Sequence, residues 1–195
     1  NGAGKSTLMN LLAGMSKPSS GNICLNDEPL DSIPALDLAQ QRTYLSQQNN
    51  DDISFTCEEI LSMAAYPWGR AVKEDDLQKM LTWFELEHLK SRPYGQLSGG
   101  ERQRCNLARS FLQILPNGFG RSILLLDEPL TGLDISHQVR LFKLLNELQE
   151  KGITIIMVLH DVNLALRYCS HSILLKDSRL IKQGEVEEVL TAKRL

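Results

Sequence analysis

The sequence predicts a three-layer α/β fold built on a mainly parallel sheet, and three observations carry that prediction. Strand-like runs at 42–45, 122–126 and 153–159 alternate with amphipathic helical stretches. The run Ser122-Ile123-Leu124-Leu125-Leu126 is apolar without alternation, as expected of a strand covered on both faces. Gly2-Ala3-Gly4-Lys5-Ser6-Thr7 opens onto a helical pattern, as a phosphate-binding loop does at a helix N-terminus.

Composition sets the outer limits. At 195 residues and 42% hydrophobic, the chain can bury one ordinary core, with room for an inserted subdomain. A net charge of −3 gives no basic face for a nucleic-acid partner. No apolar run approaches the ~18 residues that span a bilayer. Cys24, Cys57, Cys105 and Cys169 form no C-x-x-C pair, so they are expected as small buried or half-buried thiols in a reducing compartment.

Asn1 to Thr7 gives most of the pattern G-x-x-x-x-G-K-[ST]. The glycines let several N–H groups converge on one anion. Lys5 supplies a mobile point charge for terminal phosphates, and Ser6 a hydroxyl for Mg²⁺. A plain glycine turn capped by Ser6 is the alternative. The chain starts within this loop and lacks an initiator Met, so it is read as a fragment whose anchoring strand lies upstream; such a fragment is expected to be unstable and inactive alone.

In order, Leu8, Leu11 and Leu12 are expected to face the core, with Gly14 as helix stop. A short strand at 22–25 precedes a turn at 26–29, a helix at 37–41 and the strand at 42–45. From 49 to 94 the pattern is helical: a Thr56/Glu59 capping box opens 57–65, the segment 66–69 breaks it, and 75–84 is amphipathic. A helix at 101–115 completes an expected helical subdomain at about 49–115, inserted in a single domain covering 1–195. A loop at 116–120 leads to the strand at 122–126. Then follow a helix at 136–151 with Val139, Leu141, Phe142, Leu145 and Leu148 mostly inward, a buried strand at 153–159, and a helix at 162–169. A closing antiparallel pair at 172–175 and 180–182 precedes a terminal helix at 185–190.

The chemistry-bearing residues fall at strand ends, where open parallel sheets bind ligands. Asp127 suits a Mg²⁺ carboxylate, and Glu128 suits polarisation of an attacking water; the pair could also cap the turn at Pro129. His160 could reach a γ-phosphate or be structural, and Gln47 could reach Mg²⁺ and the water. Ser98 and Glu101 fit a capping box, yet a cap needs neither Gly99 nor Gly100, and a bare helix start also admits a phosphate. Asp134 or Ser136 could each cap the next helix.

Taken in order, Gly2-Ala3-Gly4-Lys5-Ser6-Thr7, Gln47, Leu97-Ser98-Gly99-Gly100-Glu101, Leu124-Leu125-Leu126-Asp127-Glu128-Pro129, Leu133-Asp134 and His160 resemble the motif set of the ATP-binding cassette (ABC) ATPases. The resemblance implies a P-loop NTPase (RecA-like) core with a small antiparallel β part, and a head-to-tail homodimer enclosing ATP and Mg²⁺. Asn1 to Thr7 of one subunit would hold the phosphates, and Ser98, Gly99 and Gly100 of the other would close over them. Glu128 would be the catalytic base, His160 the switch residue, and Asp134 would lie at the dimer seam. Ser6, Gln47 and Asp127 would serve the metal. Chromosome and repair ATPases of the same type carry a long coiled coil where this chain has a small helical block broken at Pro67 and Gly69. The resemblance is therefore to a bacterial importer subunit, peripheral on the cytoplasmic face of the inner membrane. It would dock on separate integral membrane permease subunits, be served indirectly by a periplasmic binding protein, and act on no nucleic acid. Tyr44-Leu45-Ser46-Gln47-Gln48, the stretch from Leu112 to Pro116 and the stretch from Leu133 to Gln138 are similar to vitamin B12 (cobalamin) importers, and haem and iron–siderophore importers share the last two; the expected substrate is therefore vitamin B12, with haem or an iron–siderophore as the alternative and a soluble ATPase acting on nucleic acid or ribosomes as the remoter one. Arg102 and Gln103 depart from the B12 pattern, in which an aromatic follows the Glu.

Overall fold

The computed structural model describes residues 2–46, 54–117 and 122–191. Helix α1, Lys5–Leu12, begins directly behind Gly4. It turns Met9 and Ala13 inward, whereas Leu8, Leu11 and Leu12 are only half-buried. The stripe is rotated from the expected one because the small Ala13 and the flexible Met9 let α1 settle against Leu125 and Val158 of the sheet.

Residues 26–29 are not a bare turn. Strand β1, Cys24–Leu25, pairs antiparallel with β2, Glu28–Pro29, and is shorter than the strand expected at 22–25. Asn26 and Asp27 both take positive φ, 52° and 68°, which gives a two-residue turn the twist its flanking strands need. Helix α2, Ala35–Gln41, runs directly into β3, Arg42–Leu45.

A helical block follows. Helix α3, Cys57–Ser62, opens on the predicted box, with the Thr56 N–H donating to Glu59 Oε2 at 2.7 Å. It stops short of Ala65 and tightens into a 3₁₀ turn, Met63–Trp68, that contains Pro67. The ring leaves no N–H for an α-helical bond and would strike the carbonyl four residues back, so the tighter turn wins. Helix α4, Glu74–Trp83, buries Leu77, Met80 and Leu81 against α5, Gly99–Ile114. Phe111 of α5 lies 5.5 Å, centroid to centroid, from Phe84 and is almost fully buried, which contributes about 1.5–3 kcal/mol. Cys57 and Cys105, 48 residues apart in sequence, bring their Sγ atoms within 3.5 Å. Cys24, by contrast, is exposed rather than buried.

Strand β4, Ile123–Asp127, then helix α6, Ile135–Glu150, and strand β5, Thr154–Val158, complete the centre. The sheet order is β3–β4–β5, all parallel, with Arg42 opposite Ile123 and Asp127 opposite Val158. Alternation sorts its two faces. Tyr44, Ile123, Leu125, Ile156 and Val158 meet α1, while Leu45, Leu124, Leu126, Ile155 and Met157 meet the cluster built on α5 and α6. This is the predicted three-layer fold. Val139 of α6 points outward, against expectation, because the 3.6-residue period that buries Leu141, Phe142, Leu145 and Leu148 places it at the edge of that stripe.

Helix α7, Val162–Tyr168, leads to a hairpin of β6, His171–Lys176, and β7, Arg179–Glu185, closed by the short α8, Val186–Val189. Both strands are longer than expected, because the two-residue turn at Asp177 and Ser178, with φ 49° and 58°, lets pairing run to the turn itself. Strand β5 is less buried than its apolar sequence suggests. Among the described residues it pairs only with β4, and a cavity of about 580 Å³ lies between β5, β6 and α1.

Candidate functional site

The phosphate-loop candidate is a left-handed glycine turn. Gly2 and Gly4 have φ 83° and 86°, and a Cβ at Gly2 would meet nothing within 4 Å. Gly4 is the N-cap of α1, and no side chain accepts from the first turn. Ser6 therefore lies inside the helix and does not cap it. Uncapped N–H groups at the positive end of an eight-residue helix favour an anion. Asn1 lies outside the described residues.

Asp127 ends β4 at 2% exposure, and its Oδ1 has no hydrogen-bond partner among the described residues. A buried, unpartnered carboxylate oxygen is costly unless a cation or donor joins it. Its charge is felt nearby: burial first, then Asp127, pushes the Tyr44 hydroxyl pKa upward. Tyr44 Oη donates to Asn10 Oδ1 at 3.1 Å, tying β3 to α1.

Glu128 leaves the strand at φ 52°, unusual for a residue with a side chain. Its Oε1 lies 2.6 Å from Nε2 of His160, so Nε2 is the donor. The Glu128 side chain is 15% exposed and that of His160, two residues past β5, is 54% exposed. The following turn is closed by backbone bonds, from Thr131 N–H to Glu128 O at 3.2 Å and from Leu133 N–H to Leu130 O at 3.1 Å.

Ser98 caps α5 in a full capping box: its N–H donates to Glu101 Oε2 at 2.7 Å and the Glu101 N–H to Ser98 Oγ at 3.3 Å. The helix thus starts at Gly99 rather than at Glu101. The two glycines have different tasks. A Cβ on Gly99 would meet nothing within 4 Å, so that position stays open to an approaching group. A Cβ on Gly100 would lie 2.6 Å from the Gly132 carbonyl oxygen, so that glycine permits a close backbone approach.

Asp134, not Ser136, caps α6, accepting from the His137 N–H at 2.9 Å and facing His137 Nδ1 at 2.8 Å. Those two bonds hold its carboxyl below the usual range. His137 Nε2 in turn lies 3.3 Å from Glu85, which also pairs with Arg140 and Arg104. This cluster joins α6 to the residues after α4, and the sequence reading missed it. Its only local signal is the three-residue spacing of Asp134 and His137.

The structure thus brings Asp127, Glu128 and His160 together at the C-terminal ends of β4 and β5. It sets Gly99 and Gly100 against Gly132, in the loop that follows Glu128. The phosphate-loop helix lies on the same sheet through Met9 and Ala13. Gln47 lies outside the described residues. Among those described, no group of three His, Cys, Asp or Glu side chains forms a metal centre. The bare oxygen of Asp127 and the uncapped glycine turn fit a cation shared with a phosphate.

Comparison with known proteins agrees with that chemistry. A family model described as ABC transporter matches residues 1–131. The hemin import ATP-binding protein HmuV of Hahella chejuensis is 39% identical, over 98% of this chain and 75% of its own length. The "Probable siderophore transport system ATP-binding protein YusV" of Bacillus subtilis is 37% identical, over 98% of this chain and 70% of its own. A solved structure of the ATP-binding subunit of an ABC transporter superposes with a TM-score of 0.82 at 28% identity, covering 97% of this chain and 77% of that one.

Proposed function

The chain belongs to the ABC transporter family as an ATP-binding subunit, and from that premise we propose that it hydrolyses ATP to drive an importer for haem or an iron–siderophore. The 2.6 Å contact of Glu128 with His160, beside the unpartnered oxygen of Asp127, carries the catalytic part of this reading. Lys5 and the N–H groups of residues 2–7 hold the phosphates, with Asn1 at the entry to the loop. Asp127 and Ser6, with Gln47, would hold Mg²⁺, which would neutralise charge on the phosphate oxygens. Glu128 orients a water and accepts its proton at Oε. His160 contacts the Glu128 carboxylate and would exchange that contact for the γ-phosphate.

The functional unit is a head-to-tail homodimer. Ser98, Gly99 and Gly100 of one chain close the site of the other, with the open face of Gly99 turned to the phosphate and Asp134 at the seam. The helical block, residues 49–115, acts as an inserted subdomain facing the permease. No helix among the described residues is long and apolar enough to cross a membrane. Likeness to importer ATP-binding proteins supports assigning the substrate path to separate permease subunits, with this chain on their cytoplasmic face and a binding protein on the other.

The transported molecule moves from the first expectation to its alternative. Vitamin B12 was favoured by three short stretches, whereas the relatives reported above are named for hemin and siderophore import over nearly the whole chain. The test is ATPase activity of the chain assembled with its permease, stimulated by binding protein loaded with haem, a ferric siderophore or cobalamin. Stimulation by haem or siderophore is the expected result. Stimulation by cobalamin alone overturns the substrate, and stimulation by none overturns the importer.

A further inference from the structure

Glu128 holds its carboxylate over the site from a left-handed backbone conformation, φ 52°, that an L side chain adopts only under constraint. Something must hold it there. The turn that follows is gripped from both sides. Gln103, on the first turns of α5, donates from Nε2 to the Pro129 carbonyl at 2.9 Å, across 26 residues of sequence. Gln138 of α6 donates to the Leu133 carbonyl at 3.0 Å. Between these points Gly132, at φ 76°, lies so close to Gly100 that a Cβ there would meet its carbonyl oxygen at 2.6 Å.

We propose that Gln103 is a positioning residue for hydrolysis: through the Pro129 carbonyl it fastens the strained turn that aims Glu128 to the helix that begins with Ser98, Gly99 and Gly100. The inference rests on the reading of Glu128 as the base. It has a mechanical content beyond that reading. The start of α5, which serves the facing subunit's nucleotide, and Glu128, which serves the chain's own, move as one body. The effect of Gln103 reaches the chemistry by way of the Pro129 carbonyl, in the peptide after Glu128.

The test is a set of Gln103 variants in the assembled transporter, sorted by whether a donor remains. Gln103→Leu and Gln103→Glu remove the N–H, whereas Gln103→Lys keeps one within reach of the carbonyl. Misplacement of a reacting group by about 1 Å costs up to ~10²-fold, so the Leu and Glu variants are expected to lose roughly tenfold to a hundredfold in kcat with KM for ATP unchanged. The Lys variant is expected to stay within about threefold of wild type on the same scale. In a Glu128→Gln background the Gln103→Leu loss should vanish, because both changes act through one group. Should Gln103→Leu fail to fold, the Glu and Lys pair decides. Wild-type kcat in the donor-free variants, equal losses in all three, or full additivity with Glu128→Gln overturns the assignment of Gln103 alone. Full turnover in Glu128→Gln itself would instead remove the base on which it rests.

Discussion

Replacing Glu128 with Gln lowers ATP turnover by about 10²–10⁴-fold, the usual contribution of a general base, and leaves nucleotide binding intact. The substitution is nearly isosteric. The amide oxygen can still accept from His160 Nε2, now 2.6 Å from Oε1, so the end of β4 keeps its geometry. What is lost is the capacity to take a proton from water. Binding is expected to be spared because the proposed phosphate site lies elsewhere, at the uncapped turn around Gly2 and Gly4 and at Lys5. The comparison needs turnover and a nucleotide titration on the same preparation. A variant that binds and turns over like the parent would move the role to His160 or to water unaided.

In the full-length protein Ser98→Arg is expected to abolish hydrolysis while each isolated subunit still binds nucleotide. Two effects combine. The bulky side chain fills the space that Gly99 leaves open toward the facing subunit. It also removes the Ser98 hydroxyl that accepts from the Glu101 N–H, and it sets a cation at a helix N-terminus. Loss of the cap costs about 1 kcal/mol, so Ser98→Ala serves as the control for stability alone. Mixed dimers of variant and parent separate the sites, since only the site facing the arginine should fall silent. Loss of nucleotide binding by the isolated variant would place Ser98 on its own chain's site instead.

How much could be read in advance depended on how local each determinant is. The capping boxes at Thr56/Glu59 and Ser98/Glu101 need only four consecutive residues, and both were legible. Strand β3 was predicted to its ends because Gln41 closes a helix and Arg42 to Leu45 follow without a loop. The hairpin around Asn26 and Asp27 was missed although its turn chemistry is local; two adjacent residues tolerant of positive φ were the signal. Other features were beyond any local reading. The need for glycine at 100 comes from Gly132, and the role of Glu85 comes from His137 and Arg140 on another helix. The rotation of α1 was set by the sheet that receives Met9 and Ala13, not by the leucines in its own sequence. The substrate was illegible for a different reason: the residues assigned to catalysis handle phosphate, so the choice between cobalamin and haem turned on whole-chain likeness.

The two thiols that meet between α3 and α5 make the helical block its own reporter. Cys57 and Cys105 are both 0% exposed, whereas Cys24 lies on the surface. The hydrogen-bonded contact with Cys57, with burial behind it, pushes the Cys105 thiol up, which keeps it protonated and slow to alkylate. An alkylating label therefore reaches the exposed Cys24 directly and reaches the buried pair only when the block opens. The ratio of the two rates is an opening constant for that block, read at cysteines the chain already carries. Docking of a permease on its surface would register as a slowing of the second rate alone.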